Sequence, residues 1–327
     1  MRRLTFAEAE RLRGTYGKTV LLFITDRCPV GCAHCSVDSR PDSPTVADFP
    51  LFAEIVAGIC SVAEIEAVAI SGGEPFVERR ALPLAVRQVR DAGKATVVFT
   101  SGFWATGARC QPWIAEVLRM TGTVFLSTDS FHQGTVSMER FRRAAGFIAA
   151  AGCRLVVQIL DQPDVAGYAG EVLTDLFGPD WTRHADLNRV PNLALGRGRS
   201  VFQITTRHRL DHFTPCRMTK APTIRYDGTV IGCCNEALVL GAGPAALRRQ
   251  VRDRHELVAA LRSLRAAPLL RAVATVPLTD LARLPGLGAL ADDRYEGICQ
   301  PCWRAHDLVA ADPRAGIAVE ALFGRES

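Results

Sequence analysis

The sequence has no long apolar run. No stretch supplies about 18 uncharged apolar residues, and the N-terminal "MRRLTFAEAERLRGTYG" has basic residues but no apolar core of the kind a secretory signal needs. A membrane span and an export signal are therefore not expected, and a cytoplasmic location is. The chain also lacks a strong charge of either sign. Its 39 Lys and Arg against 34 Asp and Glu leave a formal net charge of +5, dispersed along the sequence, which is too weak to argue for nucleic acid as a partner. Low-complexity tracts and internal repeats are missing as well. With 327 residues, 48% of them hydrophobic, and a mean hydropathy close to zero, the composition is that of a soluble globular protein able to bury a large core. Eleven cysteines form no pattern of even pairing, so thiols kept reduced for a metal are expected rather than disulfides.

What is present is alternation. Short β-branched runs recur from residue 18 to about 200: "TVLLFIT" (19–25), "AVAIS" (67–71), "ATVVFT" (95–100), "TVFLST" (123–128), "RLVVQIL" (154–160) and "HADLNRV" (184–190). Helical stretches separate them, among them "LFAEIVAGICSVAEI", "ALPLAVRQVRDAG", "WIAEVLRM" and "MERFRRAAGFIAAAG". This is the pattern of βαβ units around a parallel sheet. Six units predict an α/β fold, a partial (β/α)6 barrel of the TIM type, open rather than closed. Its functional loops are expected at the C-terminal ends of the strands. A helical extension over 1–17 precedes the barrel at 18–202, and a smaller domain over 203–327 follows it. There "TIRYDGTVIGCC" reads as a hairpin turned at Asp227 and Gly228, followed by a helical stretch from about 255 to 275 and a last helix near 314–324.

The chemistry lies in the cysteines. "TDRCPVGCAHCSVDS" places Cys28, Cys32 and Cys35 in a loop after the first strand, broken by Pro29 and Gly31. Three thiols without a fourth nearby do not suit structural zinc, which prefers four closed ligands. A [4Fe-4S] cluster held by three thiolates would keep one iron free for another ligand.

This spacing, with an aromatic residue before the third cysteine, resembles the signature of the radical S-adenosylmethionine (SAM) superfamily. Here that position is His34, a less common variant. The resemblance covers residues 18 to 200. It implies a cluster whose open iron is chelated by the amino and carboxylate groups of SAM, and reductive cleavage of SAM to a 5′-deoxyadenosyl radical that abstracts a hydrogen atom. "SGGEP" after the second strand matches the family's motif for the SAM ammonium group, which implicates Gly72, Gly73, Glu74 and Pro75. "TSGF" and "STDSFHQ" end the third and fourth strands, and the resemblance places Ser101, Ser127 and Asp129 near the ribose and carboxylate of SAM. Capping of the next helix is the plainer role for the last two. His132 has a pKa suited to contacting substrate or relaying a proton. Gln158, inside the fifth strand, faces either the cavity or the helices, and Arg197 resembles a position near SAM in relatives.

A second set of thiols comprises Cys216, Cys233, Cys234, Cys299 and Cys302. The pattern resembles the SPASM auxiliary-cluster extension, or its shorter twitch form. "DGTVIGC" matches the G-x4-C element from Gly228 to Cys233. With Cys299 and Cys302 as the last pair, one auxiliary iron–sulfur cluster is implied, held by Cys216, Cys233, Cys299 and Cys302, with Cys234 able to exchange with Cys233. A four-thiolate zinc site is the rival. Cys60, Cys110 and Cys153 read as small apolar groups.

The resemblance implies modification of a ribosomally synthesised peptide, as an oxidative crosslink or thioether, or as an epimerisation in which Cys234 returns the hydrogen atom. A small sugar-like or aminoglycoside-type metabolite, oxidised or epimerised, is the alternative substrate. A non-catalytic iron–sulfur electron carrier or sensor would explain the cysteines but not "SGGEP". An external electron donor such as flavodoxin or ferredoxin is implied. The seventeen residues before the first strand are short for a leader-binding domain, so a peptide would need a separate leader-binding protein or recognition at the barrel mouth.

Overall fold

The computed structural model describes residues 2–161 and 163–324; the outermost positions of the expected domains, 1 and 325–327, lie outside the described residues. Six strands form where the β-branched runs are: β1 (Thr19–Phe23), β2 (Ala67–Ser71), β3 (Ala95–Thr100), β4 (Thr123–Thr128), β5 (Arg154–Leu160) and β6 (Ala185–Val190). Each pairs in parallel with the next. The crossovers carry α2 (Phe49–Ser61), α3 (Ala81–Asp91), α4 (Pro112–Arg119), α5 (Met138–Ala150) and α6 (Pro163–Phe177), after an N-terminal α1 (Phe6–Arg13). Local sequence sets these helix starts. Asp48 accepts the amide of Leu51, Ser137 accepts that of Arg140, and Thr5 and Glu8 form a reciprocal capping box. The architecture is the expected open α/β partial barrel.

Side chains alternate across the sheet. Val20, Leu22, Val68, Ile70, Val124 and Val157 face the helices and belong to the main core. Ala67, Ala95, Val97, Phe125 and Val156 face the other way and pack on Leu4 and Leu12. The N-terminal segment thus plugs the barrel at the beginnings of the strands. Thr123 fixes it by accepting the Leu4 amide at 2.9 Å and donating to the Leu4 carbonyl at 3.0 Å, and Asp186 accepts the Phe6 amide at 3.1 Å. Above the plug the same inner face turns polar. Ser71, Ser127, Gln158 and Asn188 occupy it, with Asn188 Nδ2 donating to Gln158 Oε1 at 3.3 Å. Gln158 therefore faces the cavity, not the helices.

The sheet does not stop at β6 and β1. Beyond residue 203, β7 (Thr223–Arg225) adds in parallel to the free side of β1, and β8 (Thr229–Ile231) and β9 (Arg248–Gln250) follow antiparallel, giving nine strands in the order β6-β5-β4-β3-β2-β1-β7-β8-β9. The β7–β8 turn occupies 226–228, with Gly228 at φ +85° closing a three-residue loop. After α7 (Glu236–Val239), the expected helix over 255–275 is two helices, α8 (Arg254–Ala266) and α9 (Pro268–Thr275). Pro268 is the reason, since a residue before proline is pushed out of helical geometry and Ala267 is extended. α8 packs on α2 at Gly58, where a Cβ would come within 2.6 Å of Leu257. A second core gathers Leu269, Val273, Leu281, Leu290, Tyr295 and Val319 around α9, α10 (Leu278–Leu281), α11 (Cys299–Ala311) and α12 (Pro313–Phe323). Among the described residues no helix is long and apolar enough to cross a membrane.

The plug yields the first prediction. Leu4 is 1% exposed, so Leu4→Ala should cost about 2–4 kcal/mol through lost burial and the cavity left behind. A urea midpoint within error of the parent would show that the N-terminal segment does not close the barrel.

Candidate functional site

The loop after β1 has no helix or strand between 24 and 48. Its polar backbone must be satisfied by other elements, because buried amides and carbonyls are rarely left unpaired. The end of β2 does the first part. Gly73 donates to the Thr25 carbonyl at 2.7 Å and Glu74 to the Arg27 carbonyl at 2.9 Å. The approach is close enough to require glycine. A Cβ at Gly73 would sit 2.3 Å from the Arg27 oxygen, and Gly72, at φ +151°, would place one 2.5 Å from the Thr25 oxygen. The two glycines of "SGGEP" therefore make room for the cysteine loop rather than for a ligand at those Cα positions.

From the segment after β6, Arg197 clamps the same loop. Its Nε and Nη2 donate to the Cys32 carbonyl at 3.0 and 2.8 Å, and its Nη1 donates to Asp38 Oδ1 at 2.8 Å and the Ser39 carbonyl at 2.9 Å. The Arg197 amide donates to the Cys35 carbonyl at 3.0 Å. Arg197 thus shapes the loop. A third anchor comes from β7 and the turn after it. Arg225 grips both oxygens of Asp26, at 3.1 and 2.8 Å, and the Tyr226 hydroxyl donates to Asp26 Oδ2 at 2.7 Å. Thr135 Oγ1 adds a bond to the Val30 carbonyl at 3.1 Å.

Two carboxylates meet the loop. Glu74, 1% exposed, accepts from Ser101 Oγ at 2.6 Å, the Ser101 amide at 2.8 Å, Thr100 Oγ1 at 2.8 Å and the Phe76 amide at 3.1 Å. Burial pushes its carboxyl above the usual range against these four bonds. Ser101 is thereby the partner of Glu74, and Pro75 is buried at the start of the turn that follows. Asp129, 3% exposed, accepts the amides of Phe131 and His132 on Oδ1 and meets two imidazoles on Oδ2: His132 Nδ1 at 2.7 Å and His34 Nε2 at 3.3 Å. Burial opposes its charge, but the two histidines outweigh burial and hold the carboxyl well below the ordinary range. His132 is pushed up to about 10. Burial works against its charge, and Asp129 and the neighbouring Cys32 sulfur overcome it. Phe131 and Phe202 pack around the His34 ring, with centroids at 4.7 and 6.3 Å. His34, Asp129 and His132 are thus one array beside Cys32.

Cys28 faces Glu74 and Cys32. Burial first, then the Glu74 charge, pushes its thiol up to about 12. Buried thiols of this kind become thiolates when a cation compensates them.

The second set also converges. Cys216, Cys233 and Cys302 are buried. Burial pushes Cys234 up to about 11 and Cys299 up to about 12, with Cys216 and Glu236 adding to both, and it raises Cys233 and Cys302 as well. Asn235 Nδ2 donates to Cys299 Sγ at 3.2 Å. Register fixes where this set lies. Leu21 of β1 is level with Thr223 and Thr223 with Ile231, so the residues before β7 and after β8 sit at the beginning of β1. Cys28 follows the end of β1. The two cysteine sets therefore flank a strand about 16 Å long. His132 and Cys234, the two residues read as catalytic, fall at opposite ends of it.

The sulfur spacing bears on the metal. A tetrahedral zinc with Zn–S bonds of about 2.3 Å holds its thiolates about 3.8 Å apart. Among the described residues, the ligating groups of three or more whose donor atoms all lie within 4.8 Å of one another reduce to His34, Asp129 and His132. Neither cysteine set is so tight. Each set also has a buried imidazole nitrogen without a protein partner in its vicinity: His34 Nδ1 beside Cys35, and His306 Nε2 one turn beyond Cys302.

No protein-family profile matches the chain. Streptococcus suis SuiB, solved with S-adenosylmethionine bound, superposes on 88% of this chain and 78% of its own, with a TM-score of 0.52 at 13% identity. The chain shares the fold of that protein, an open parallel α/β barrel. SuiB bound to its precursor peptide SuiA superposes on 87% of this chain and 71% of its own, at a TM-score of 0.51 and 13% identity. At that identity the likeness is one of fold. A curated sequence relative is YydG of Bacillus subtilis (strain 168), named as a candidate peptide biosynthesis protein. It is 28% identical over 89 residues, which span 27% of this chain and only 28% of YydG.

Sequence reading missed Asp26, Arg225 and Tyr226 as loop anchors, because nothing local links residue 26 to residue 225. Cys299 and Cys302 open α11. Gly73 tests the loop geometry. Gly73→Ala should lose the iron of the Cys28 set, about four atoms per chain, while Gly134→Ala, with open space around its Cα, should keep it. Equal iron in both variants after anaerobic reconstitution would contradict the close-approach argument.

Proposed function

We propose that the chain is a radical SAM enzyme that modifies a ribosomally synthesised peptide with the help of an auxiliary iron–sulfur cluster. The observation that carries this reading is the cysteine loop itself, held from three sides at the C-terminal end of β1, above a polar inner face that is closed from below. Cys28, Cys32 and Cys35 would hold a [4Fe-4S] cluster with one iron left for SAM, and Cys216, Cys233, Cys299 and Cys302 would hold the second. Bound there, cluster and SAM supply a 5′-deoxyadenosyl radical able to take hydrogen from an unactivated C–H bond.

The residues of the chain do the rest. Arg197, Gly73 and Arg225 hold the loop in one shape. Phe131 and Phe202 shield it from water. Ser127, Gln158 and Asn188 offer hydrogen bonds to a substrate on the inner face, and Leu4 and Leu12 close its floor. Glu74 and Asp129 have their oxygens engaged within the protein, so their role is to fix Ser101, His34 and His132 in place. A peptide substrate is favoured by the fold shared with SuiB, which was solved with a precursor peptide, and by the partial match to YydG. With the second cysteine set on the far side of β1, Cys234 is suited to electron traffic with an external donor such as flavodoxin or ferredoxin rather than to the radical's first encounter.

Dithionite-reduced protein should release 5′-deoxyadenosine from SAM, and Cys32→Ala should not. Equal, background-level release from both proteins would defeat the enzyme reading. Mass spectrometry of a precursor peptide encoded beside the gene should show a mass change or, after hydrolysis, a D-residue. No change in that peptide, with SAM cleavage intact, would redirect the substrate assignment to a small metabolite.

A further inference from the structure

The helix that opens with Cys299 and Cys302 carries one more polar side chain on their face. His306 lies four residues after Cys302 and seven after Cys299, which is one and two turns along α11. Helical side chains lean toward the N-terminus, so a residue at this position reaches back over the turn of Cys302. Its Nε2 is buried and has no hydrogen-bond partner. Burial also pushes the ring down to about 4 against the Asp307 charge, so the imidazole is neutral at ordinary pH and carries one N–H. A buried imidazole nitrogen is rarely left without a partner. The surroundings already contain one bond of the required kind, from Asn235 Nδ2 to the Cys299 sulfur at 3.2 Å.

We infer that His306 is a positioning residue of the auxiliary cluster, donating Nε2–H to one of its sulfurs and raising its reduction potential. Hydrogen bonds to cluster sulfurs stabilise the reduced, more negative state, which is how proteins tune such centres. This inference rests on the reading of Cys216, Cys233, Cys299 and Cys302 as iron–sulfur ligands. It assigns the same hydrogen bonding to sulfur at both ends of the set: Asn235 acts on the Cys299 side and His306 on the Cys302 side.

The test is an EPR-monitored redox titration of the anaerobically reconstituted full chain, comparing His306→Leu with His306→Gln, whose amide N–H falls near the position of Nε2. In His306→Leu the auxiliary midpoint should move to a more negative potential while the SAM-binding cluster keeps its midpoint and the iron stays at about eight per chain. His306→Gln should recover most of the shift. An unmoved auxiliary midpoint in His306→Leu overturns the inference. Loss of about four irons in both variants also overturns it, since it would make His306 a ligand rather than a donor. Parent protein with about four irons and bound zinc would instead overturn the auxiliary-cluster reading beneath it.

Discussion

The loop that carries Cys28, Cys32 and Cys35 forms no helix or strand of its own, and the site depends on how that loop's polar groups are satisfied. Here the amides of Gly73 and Glu74, the Arg197 guanidinium and the Arg225–Tyr226 pair each take some of them. Each donor comes from a different element: the end of β2, the segment after β6, and the hairpin beyond residue 203. Removing any one leaves buried carbonyls or a partly buried Asp26 without partners, which costs more than the bond itself contributes. The barrel is therefore less a container for the site than the frame that brings three distant donors to one loop.

The same frame separates the two cysteine sets. Because β7 runs parallel to β1 and β8 returns antiparallel, Cys216 and the Cys233–Cys234 pair are carried to the beginning of β1 while Cys28 follows its end. The hairpin touches both places: its turn grips Asp26, and its far ends hold thiols. A single nine-stranded sheet thus links the two cysteine sets, through backbone hydrogen bonds instead of a flexible linker. The N-terminal plug fills the inner face at the beginnings of the strands, with Leu4 and Leu12 packed on Phe125 of β4, so any substrate meets the barrel from the rim.

Much of the fold was legible. The β-branched runs named all six parallel strands, with ends agreeing to one or two residues, because continuous apolar stretches bounded by glycine and polar turns have few other uses. The hairpin at Asp227 and Gly228 was equally plain. The break at Pro268 was not, since it turns on a single residue's steric effect. At the site, Cys28, Cys32, Cys35 and Glu74 were legible as residues, but their relations were not. Glu74 reads as a ligand for an ammonium group, and in the structure its oxygens are taken by Ser101, Thr100 and Phe76. Arg197 reads as a neighbour of a cofactor, and it holds the carbonyl of Cys32.

The sequence alone determined the kind of chemistry. Thiol spacing, glycine pairs and strand periodicity are local properties, and local properties specify which ligands are available and which backbone can approach closely. The tertiary structure alone decided where those ligands stand. Asp26 meets Arg225, and His34 meets Asp129, because strands far apart in the chain are neighbours in the sheet, and no local pattern encodes that distance. It also decided that the two cysteine sets sit on opposite ends of β1, since the direction in which β7 and β8 pair, not the residues they carry, sets which end each thiol reaches.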